Sequence, residues 1–283
     1  MTKRIRFTPA PEQLETAEDA LWMLGAQSVT LLDAGDQPLL EPGPGETPLW
    51  PESTVEALLP DELADHDVLL ALSAAQLISG PAEVHFDQLA DRDWERAWMD
   101  RFQPMRFGDS IWICPWHIEP EAHWDVVIRL DPGLAFGSGT HPTTALCLEW
   151  MDGMKFAGKT VTDYGCGSGV LGVAAALKGA AAVFAIDHDP QALSATRDNA
   201  ERNGVGGAVQ TALPGKLEDA RADVVLANIL AGPLIDLAEQ ITGLVRPGGA
   251  LVLSGILAEQ ADDVEEAYRP LIGNATRVSR EGW

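Results

Sequence analysis

The chain has no apolar run approaching the ~18 residues of a membrane span, and its opening MTKRIRFTPAPEQ lacks the apolar core of a signal peptide. Both absences predict a cytoplasmic protein without a membrane partner. Cysteine is scarce: Cys114, Cys147 and Cys166 form no C-x-x-C pair, so neither a disulfide framework nor a zinc site is implied. H-E-x-x-H and G-x-S-x-G are missing too, which removes the usual sequence grounds for a zinc protease or a serine hydrolase. Positive charge is also short, with 19 Lys and Arg against 43 Asp and Glu and a formal net charge of -24. Twenty of the acids but five of the bases lie in the first 100 residues, so the first third is the acidic pole. Such a surface repels phosphate backbones and attracts basic partners, or it serves solubility alone; composition leaves both open. A nucleic-acid binder needs basic patches with aromatics, and the single basic cluster here is Lys3, Arg4 and Arg6, so no direct nucleic-acid partner is expected.

What is present centres on Thr160 to Pro190, TVTDYGCGSGVLGVAAALKGAAAVFAIDHDP. The β-branched opening predicts a buried parallel strand, and Gly165, Gly167 and Gly169 predict a tight turn. An alanine-rich helix closed by Gly179 follows, then a strand over Ala182 to Ile186. Asp187 comes 22 residues after Gly165, where a carboxylate reaches ribose hydroxyls. A dinucleotide fingerprint would need G-x-G-x-x-G, but position 170 is Val. The pattern is instead an acid, Asp163, followed two residues on by G-x-G-x-G, which resembles motif one of the S-adenosylmethionine methyltransferases. The ligand of those enzymes carries an amino-acid end and a ribose and has no phosphate.

With 283 residues there is room for two cores. The first 90 read as a small α/β sandwich: strands at Lys3 to Phe7 and Ser28 to Leu32, signals near Leu39, Leu40, Leu49 and Trp50, and a last strand at Ala82 to Leu89. Helices are predicted over Pro11 to Gly25, with Leu14, Ala17, Leu21 and Leu24 on one face, and over Val55 to Leu77. EPGPGETP (Glu41 to Pro48) is a loop. In Asp91 to Gly108, Trp94, Trp98 and Phe102 recur every four residues on one helical face until Pro104. That stripe packs a linker helix or takes part in substrate binding. Strands resume from Ser110, and LDPGLAFGSGTHPTT (Leu130 to Thr144) then runs into a helix with Pro142 at its first position. His141, Thr143 and Thr144 there are either lid residues or simple caps. Beyond Asp187, a strand at Asp223 to Ala227 leads to Asn228-Ile229-Leu230-Ala231, a helix, the turn Arg246 to Gly249 and a strand at Ala250 to Leu253. Strand and helix alternating in this way predict a doubly wound parallel sheet with ligands at the carboxyl ends of its strands.

LDPGLAFGSGTHPTT, DYGCGSGVLG, AIDHDPQAL and ANILAGPL, in that order, together resemble the ribosomal protein L-eleven methyltransferase family. GETPLW, DWERAWMDRFQPMRFG and WICP extend the resemblance over nearly the whole chain. It implies an N-terminal ferredoxin-like substrate-recognition domain (1–90), a linker helix (91–108) and a C-terminal class I, Rossmann-like methyltransferase domain (109–283). It implies S-adenosyl-L-methionine as cofactor and methyl transfer to lysine ε-amines and the α-amine of the ribosomal protein, up to the trimethylated state. On matching positions the cofactor contacts fall on Thr144, Gly165, Asp187 and Asn228, with Asn228 also the catalytic candidate. Ser138 stands where many relatives have Thr. The sequence ends at Trp283, ahead of the final strand such proteins usually have, a departure that bears on the sheet edge more than on chemistry.

Methyl transfer from a sulfonium is an in-line displacement that requires a neutral amine. Asn228 at a strand end offers a side-chain carbonyl to orient that amine, or merely caps the strand. Ile229-Leu230 follows it where many amide or adenine methyltransferases have Pro-Pro-aromatic, which suits an sp³ amine. A small-molecule amine methyltransferase is the alternative, although it would not need the acidic N-terminal region; a catalytically dead binding module would have eroded these residues.

Overall fold

The computed structural model describes residues 2–35, 50–89, 102–131, 141–217, 219–273 and 275–283. The chain divides into two compact units, Met1–Trp98 and Met99–Trp283.

In the first unit the order is β1 (Thr2–Phe7), α1 (Leu14–Met23), β2 (Ser28–Asp33), β3 (Ser53–Pro60), α2 (Asp65–Ala74) and β4 (His85–Leu89). The sheet runs β2-β3-β1-β4 with every neighbouring pair antiparallel, the ferredoxin-like arrangement. Alternation in β1 turns Ile5 and Phe7 inward, where they meet Leu14, Ala17 and Leu21 of α1. Each fully buried Leu or Ile there contributes about 1.5–3 kcal/mol. The helix expected over Val55 to Leu77 is two elements. Val55, Leu58 and Leu59 fit a helical spacing, but Ser53, Val55, Ala57 and Leu59 also fit a period of two, and pairing to β1 and β2 on both sides selects the strand. The helix is confined to α2, with Val68 and Leu72 inward. The basic cluster is neutralised in place: Lys3 pairs with Asp65 at 2.5 Å, Arg4 with Asp87 at 2.8 Å and Arg6 with Glu56 at 2.5 Å.

The second unit opens with β5 (Met105–Phe107), β6 (Ile111–Cys114) and β7 (Val126–Arg129), a three-stranded sheet in that order. Of the segment expected as a linker helix, residues 91–101, with Trp94 and Trp98, lie outside the described residues, as do Leu39, Leu40, Leu49 and the loop Glu41 to Pro48. Its C-terminal part is no helix: Pro104 cannot continue one, and Met105–Phe107 pairs antiparallel with β6. There follow α3 (Pro142–Asp152), β8 (Thr160–Tyr164), α4 (Val170–Leu177), β9 (Ala182–Ile186), α5 (Pro190–Arg202), β10 (Val209–Ala212), β11 (Ala222–Asn228), α6 (Ala231–Asp236), α7 (Ala238–Gly243), β12 (Val245–Ser254) and α8 (Ala261–Ile272). The main sheet is β10-β9-β8-β11-β12, parallel throughout, as the alternation predicted. β12 starts earlier than expected, at Val245, because Arg246 to Gly249 forms an irregularity inside the strand. Helix α4 lies close against the sheet: a Cβ at Gly172 would sit 3.1 Å from Val183 Cγ1 and 3.2 Å from Asp163 Oδ2. Among the described residues no helix is long and apolar enough to cross a membrane.

Candidate functional site

Register places the site. Tyr164 pairs with Ile186 and Ala227, and Asn228 pairs with Ser254. The residues that finish or follow these four strands, Gly165, Asp187, Asn228 and Ser254, therefore line one row along the carboxyl edge of the sheet. β8 sits where the strand order reverses, with β9 on one side and β11 on the other, and there the crevice of such a sheet opens.

Gly165 begins the turn at φ +75°, and a Cβ there would overlap Ile229 Cγ2, so only glycine fits both the backbone and the neighbour. The turn is held from within. Gly165 and Cys166 donate their N–H groups to Ile186 O (2.7 and 3.1 Å), Gly167 to Asp187 Oδ2 (2.9 Å) and Gly169 to Cys166 O (2.7 Å). From α5, Thr196 Oγ1 donates to Gly167 O (3.0 Å) and Asn199 Nδ2 to Ser168 O (2.9 Å). A phosphate cradle needs backbone N–H groups free to face the anion. Here those of Gly165, Cys166, Gly167 and Gly169 are already spent, which fits a ligand without phosphate.

Asp187 is buried, with Oδ2 on Gly167 N and Oδ1 accepting from Asp189 N at 3.0 Å. A carboxylate has about four acceptor positions, so lone pairs remain for a pair of hydroxyls. Asp189 in turn caps α5 by accepting from Gln191 N. Beneath the turn, Asp163 is buried and accepts from Gly172 N at 2.9 Å. Burial pushes its carboxyl up to about 7; the Gly172 hydrogen bond opposes this and the nearby Asp187 charge adds to it.

Helix α3 supplies the facing wall, packed against β11 and β12. His141 is its N-cap: Nδ1 accepts from Thr143 N at 3.4 Å and lies 2.8 Å from Thr143 Oγ1. Pro142 is the first helical residue, as expected, and Thr143 and Thr144 are buried in the opening turn. Asn228 Nδ2 donates to Thr144 Oγ1 at 3.2 Å, joining two candidates 84 positions apart. With the amide nitrogen held in this way, Asn228 Oδ1 is the atom left to accept from a ligand. Ser254 Oγ donates to Thr143 O at 3.0 Å. The glycine-bearing loop 132–140, with Ser138, is outside the described residues.

The four candidates thus meet at one edge. Sequence reasoning did not single out Thr196, Asn199 and Ser254, which support them. The available signals were faint: polar residues three apart on the inner face of a helix, and a serine closing a strand.

A family model described as ribosomal protein L11 methyltransferase (PrmA) matches residues 2–283. The ribosomal protein L11 methyltransferase of Pseudomonas paraeruginosa strain PA7 is 55% identical over 284 residues, which are 99% of this chain and 95% of that protein. The protein of the same name from Azotobacter vinelandii is 52% identical over 284 residues, 99% of this chain and 96% of its own. A crystal structure of a ribosomal protein L11 methylase from Lactobacillus delbrueckii subsp. bulgaricus superimposes with a TM-score of 0.54 at 31% identity, covering 63% of this chain and 95% of that one. The chain is a class I, S-adenosyl-L-methionine-dependent methyltransferase and belongs to the ribosomal protein L11 methyltransferase family.

Proposed function

We propose that this protein acts in the cytoplasm on ribosomal protein L11, methylating lysine ε-amines and the N-terminal α-amine, with Asn228 orienting the amine. The observation that carries the reading is the fixed side chain of Asn228, which ends β11 next to β8 and whose Nδ2 is engaged by Thr144. The names of the relatives support the substrate.

Asp187 would hold the ribose hydroxyls of S-adenosyl-L-methionine, the Gly165 turn would pass along it, and Thr144 and Asn228 would border its reactive end. When bound, the cofactor supplies an electrophilic methyl group on a sulfonium. The chain supplies alignment: Asn228 Oδ1 accepts an amine N–H, which directs the nitrogen lone pair along a single line. It also leaves deprotonation to the amine's own equilibrium, with water taking the proton. At pH 7 a free lysine is neutral in only about one molecule in several thousand, whereas an α-amine is neutral roughly a tenth of the time. Two further features suit a basic protein better than RNA: the acidic first 100 residues, and the pairing of Lys3, Arg4 and Arg6 with carboxylates.

The test is incubation with labelled S-adenosyl-L-methionine and a ribosomal protein mixture, followed by mass spectrometry of the labelled band. Label on lysines and the N-terminus of L11 is expected. Label on another protein, on RNA or on small amines alone would overturn the reading.

A further inference from the structure

Ser254 ends β12 beside Asn228, its register partner on β11, and both reach the first turn of α3. Asn228 does so through Thr144 Oγ1 (3.2 Å) and Ser254 through Thr143 O (3.0 Å), so two adjacent strand ends hold two successive residues of one helical turn. Ser254 is buried, and so is Cys147, one turn further along α3. The next residue closes the arrangement. Gly255 has φ +86°, and a Cβ there would overlap the carbonyl oxygen of Ile229, so the end of β12 is pressed against the residue that follows Asn228. A helix start held at one point can pivot, and held at two it cannot. The direction of the Asn228 amide depends on where Thr144 stands, and Thr144 stands where Thr143 is tied.

We propose that Ser254 is a positioning residue for methyl transfer: its hydroxyl fixes the first turn of α3 so that Thr144 aims the Asn228 carbonyl at the incoming amine. The inference rests on the role assigned to Asn228 above. It makes the carboxyl end of β12 part of the functional apparatus although Ser254 touches neither reactant.

A double-mutant cycle tests it, read by single-turnover transfer of labelled methyl from S-adenosyl-L-methionine to ribosomal protein L11. S254A should slow transfer roughly 5–20-fold while KM for either reactant stays within about 2-fold, and in an N228A background the same substitution should slow it less than about 2-fold. Calorimetric affinity for S-adenosyl-L-methionine and the melting temperature verify that S254A is folded. Should it fail those checks, S254C, which keeps the shape at a slightly larger size and weakens the donor, should give a partial loss with the same dependence on Asn228. If S254A slows transfer by equal factors in both backgrounds, or not at all, or changes KM alone, Ser254 merely supports the fold and the inference falls while the reading of Asn228 stands. If N228A itself transfers at the normal rate, the reading of Asn228 is wrong and this inference falls with it.

Discussion

The two main sheets of this protein differ in strand direction, and direction decides what each can build. In β2-β3-β1-β4 every neighbour runs the opposite way, so successive strand ends alternate between two edges and no edge collects them all. In β10-β9-β8-β11-β12 all strands deliver their carboxyl ends to one edge, and Gly165, Asp187, Asn228 and Ser254 become neighbours without any long loop. Charge follows the same division. Among the described residues of the first unit, Lys3, Arg4 and Arg6 are spent on its own acids, and none of its carboxylates is buried. One unit makes a site, and the other makes a charged face.

The strongest way to break this comparison is to separate the units. A chain beginning at Met99 retains the whole edge row, so its calorimetric affinity for S-adenosyl-L-methionine should stay within a few-fold of the full chain. Methylation of intact L11 should fall about 100-fold or more, because binding energy remote from the reacting amine is lost. Equal rates for the two chains would remove any recognition role from the first unit. Raising salt from about 50 to about 300 mM should weaken L11 binding to the full chain and leave cofactor affinity nearly unchanged. Salt-insensitive L11 binding would mean that recognition is apolar.

The parallel edge is predicted to align the amine without deprotonating it, and pH sharpens that claim. Single-turnover lysine methylation should climb close to tenfold per unit from about pH 7 to about pH 9, and α-amine methylation should level off near about pH 8. A lysine profile flat over that range would reveal a pocket that lowers the amine pKa, or a base on the chain.

Strand direction also governs how much of the molecule is legible in the sequence. Glycine turns, β-branched runs and the acid after the second strand are local signals, so β8, α4, β9 and the order of the second unit can be read from them, as can Gly165 and Asp187 as candidates, whereas Thr144 and Asn228 come from the family resemblance. The stretch Val55 to Leu77 misleads because Val55 and Leu59 satisfy both periods, with Leu58 completing the helical spacing and Ala57 the alternation, and only the flanking strands β1 and β2 decide between them. The end of the expected linker helix fails at Pro104, where a three-residue strand is too short to show a pattern. The contact between Thr144 and Asn228 spans 84 positions, and Ser254 reaches Thr143 over 111. Neither pairing has a local signature, because each depends on which strands end up adjacent.

Within the edge row, Asp187 should carry the larger share of cofactor affinity. Asp187→Ala removes the acceptors for the ribose hydroxyls and also frees Gly167 N, and should weaken S-adenosyl-L-methionine binding by about 1.5–3 kcal/mol, the range for hydrogen bonds to a charged group. Calorimetry measures this directly, with NADH as the control ligand. An unchanged Kd would remove Asp187 from the site, and binding of NADH in place of S-adenosyl-L-methionine would contradict the phosphate-free reading of the turn.

The smallest effect concerns the other aspartate, and it separates the two units by stability. Among the described residues the buried carboxylates, Asp163 and Asp187, both belong to the second unit. Burial raises the Asp163 carboxyl from an ordinary 3.8 to about 7. Between those two values the unfolded chain has lost the proton and the folded chain keeps it, so the folded state binds more protons. Stability must therefore fall as pH rises through that window, and level off once the folded carboxyl has also ionised. Asp163→Asn removes this titration while keeping an acceptor for Gly172 N. In urea melts from about pH 5 to about pH 8, the stability of the variant relative to the parent should rise with pH and flatten near the top of the range. A difference that stays constant across the series would show Asp163 already ionised in the folded chain, and the part of the edge beneath the glycine turn would then be wetter than its enclosure implies.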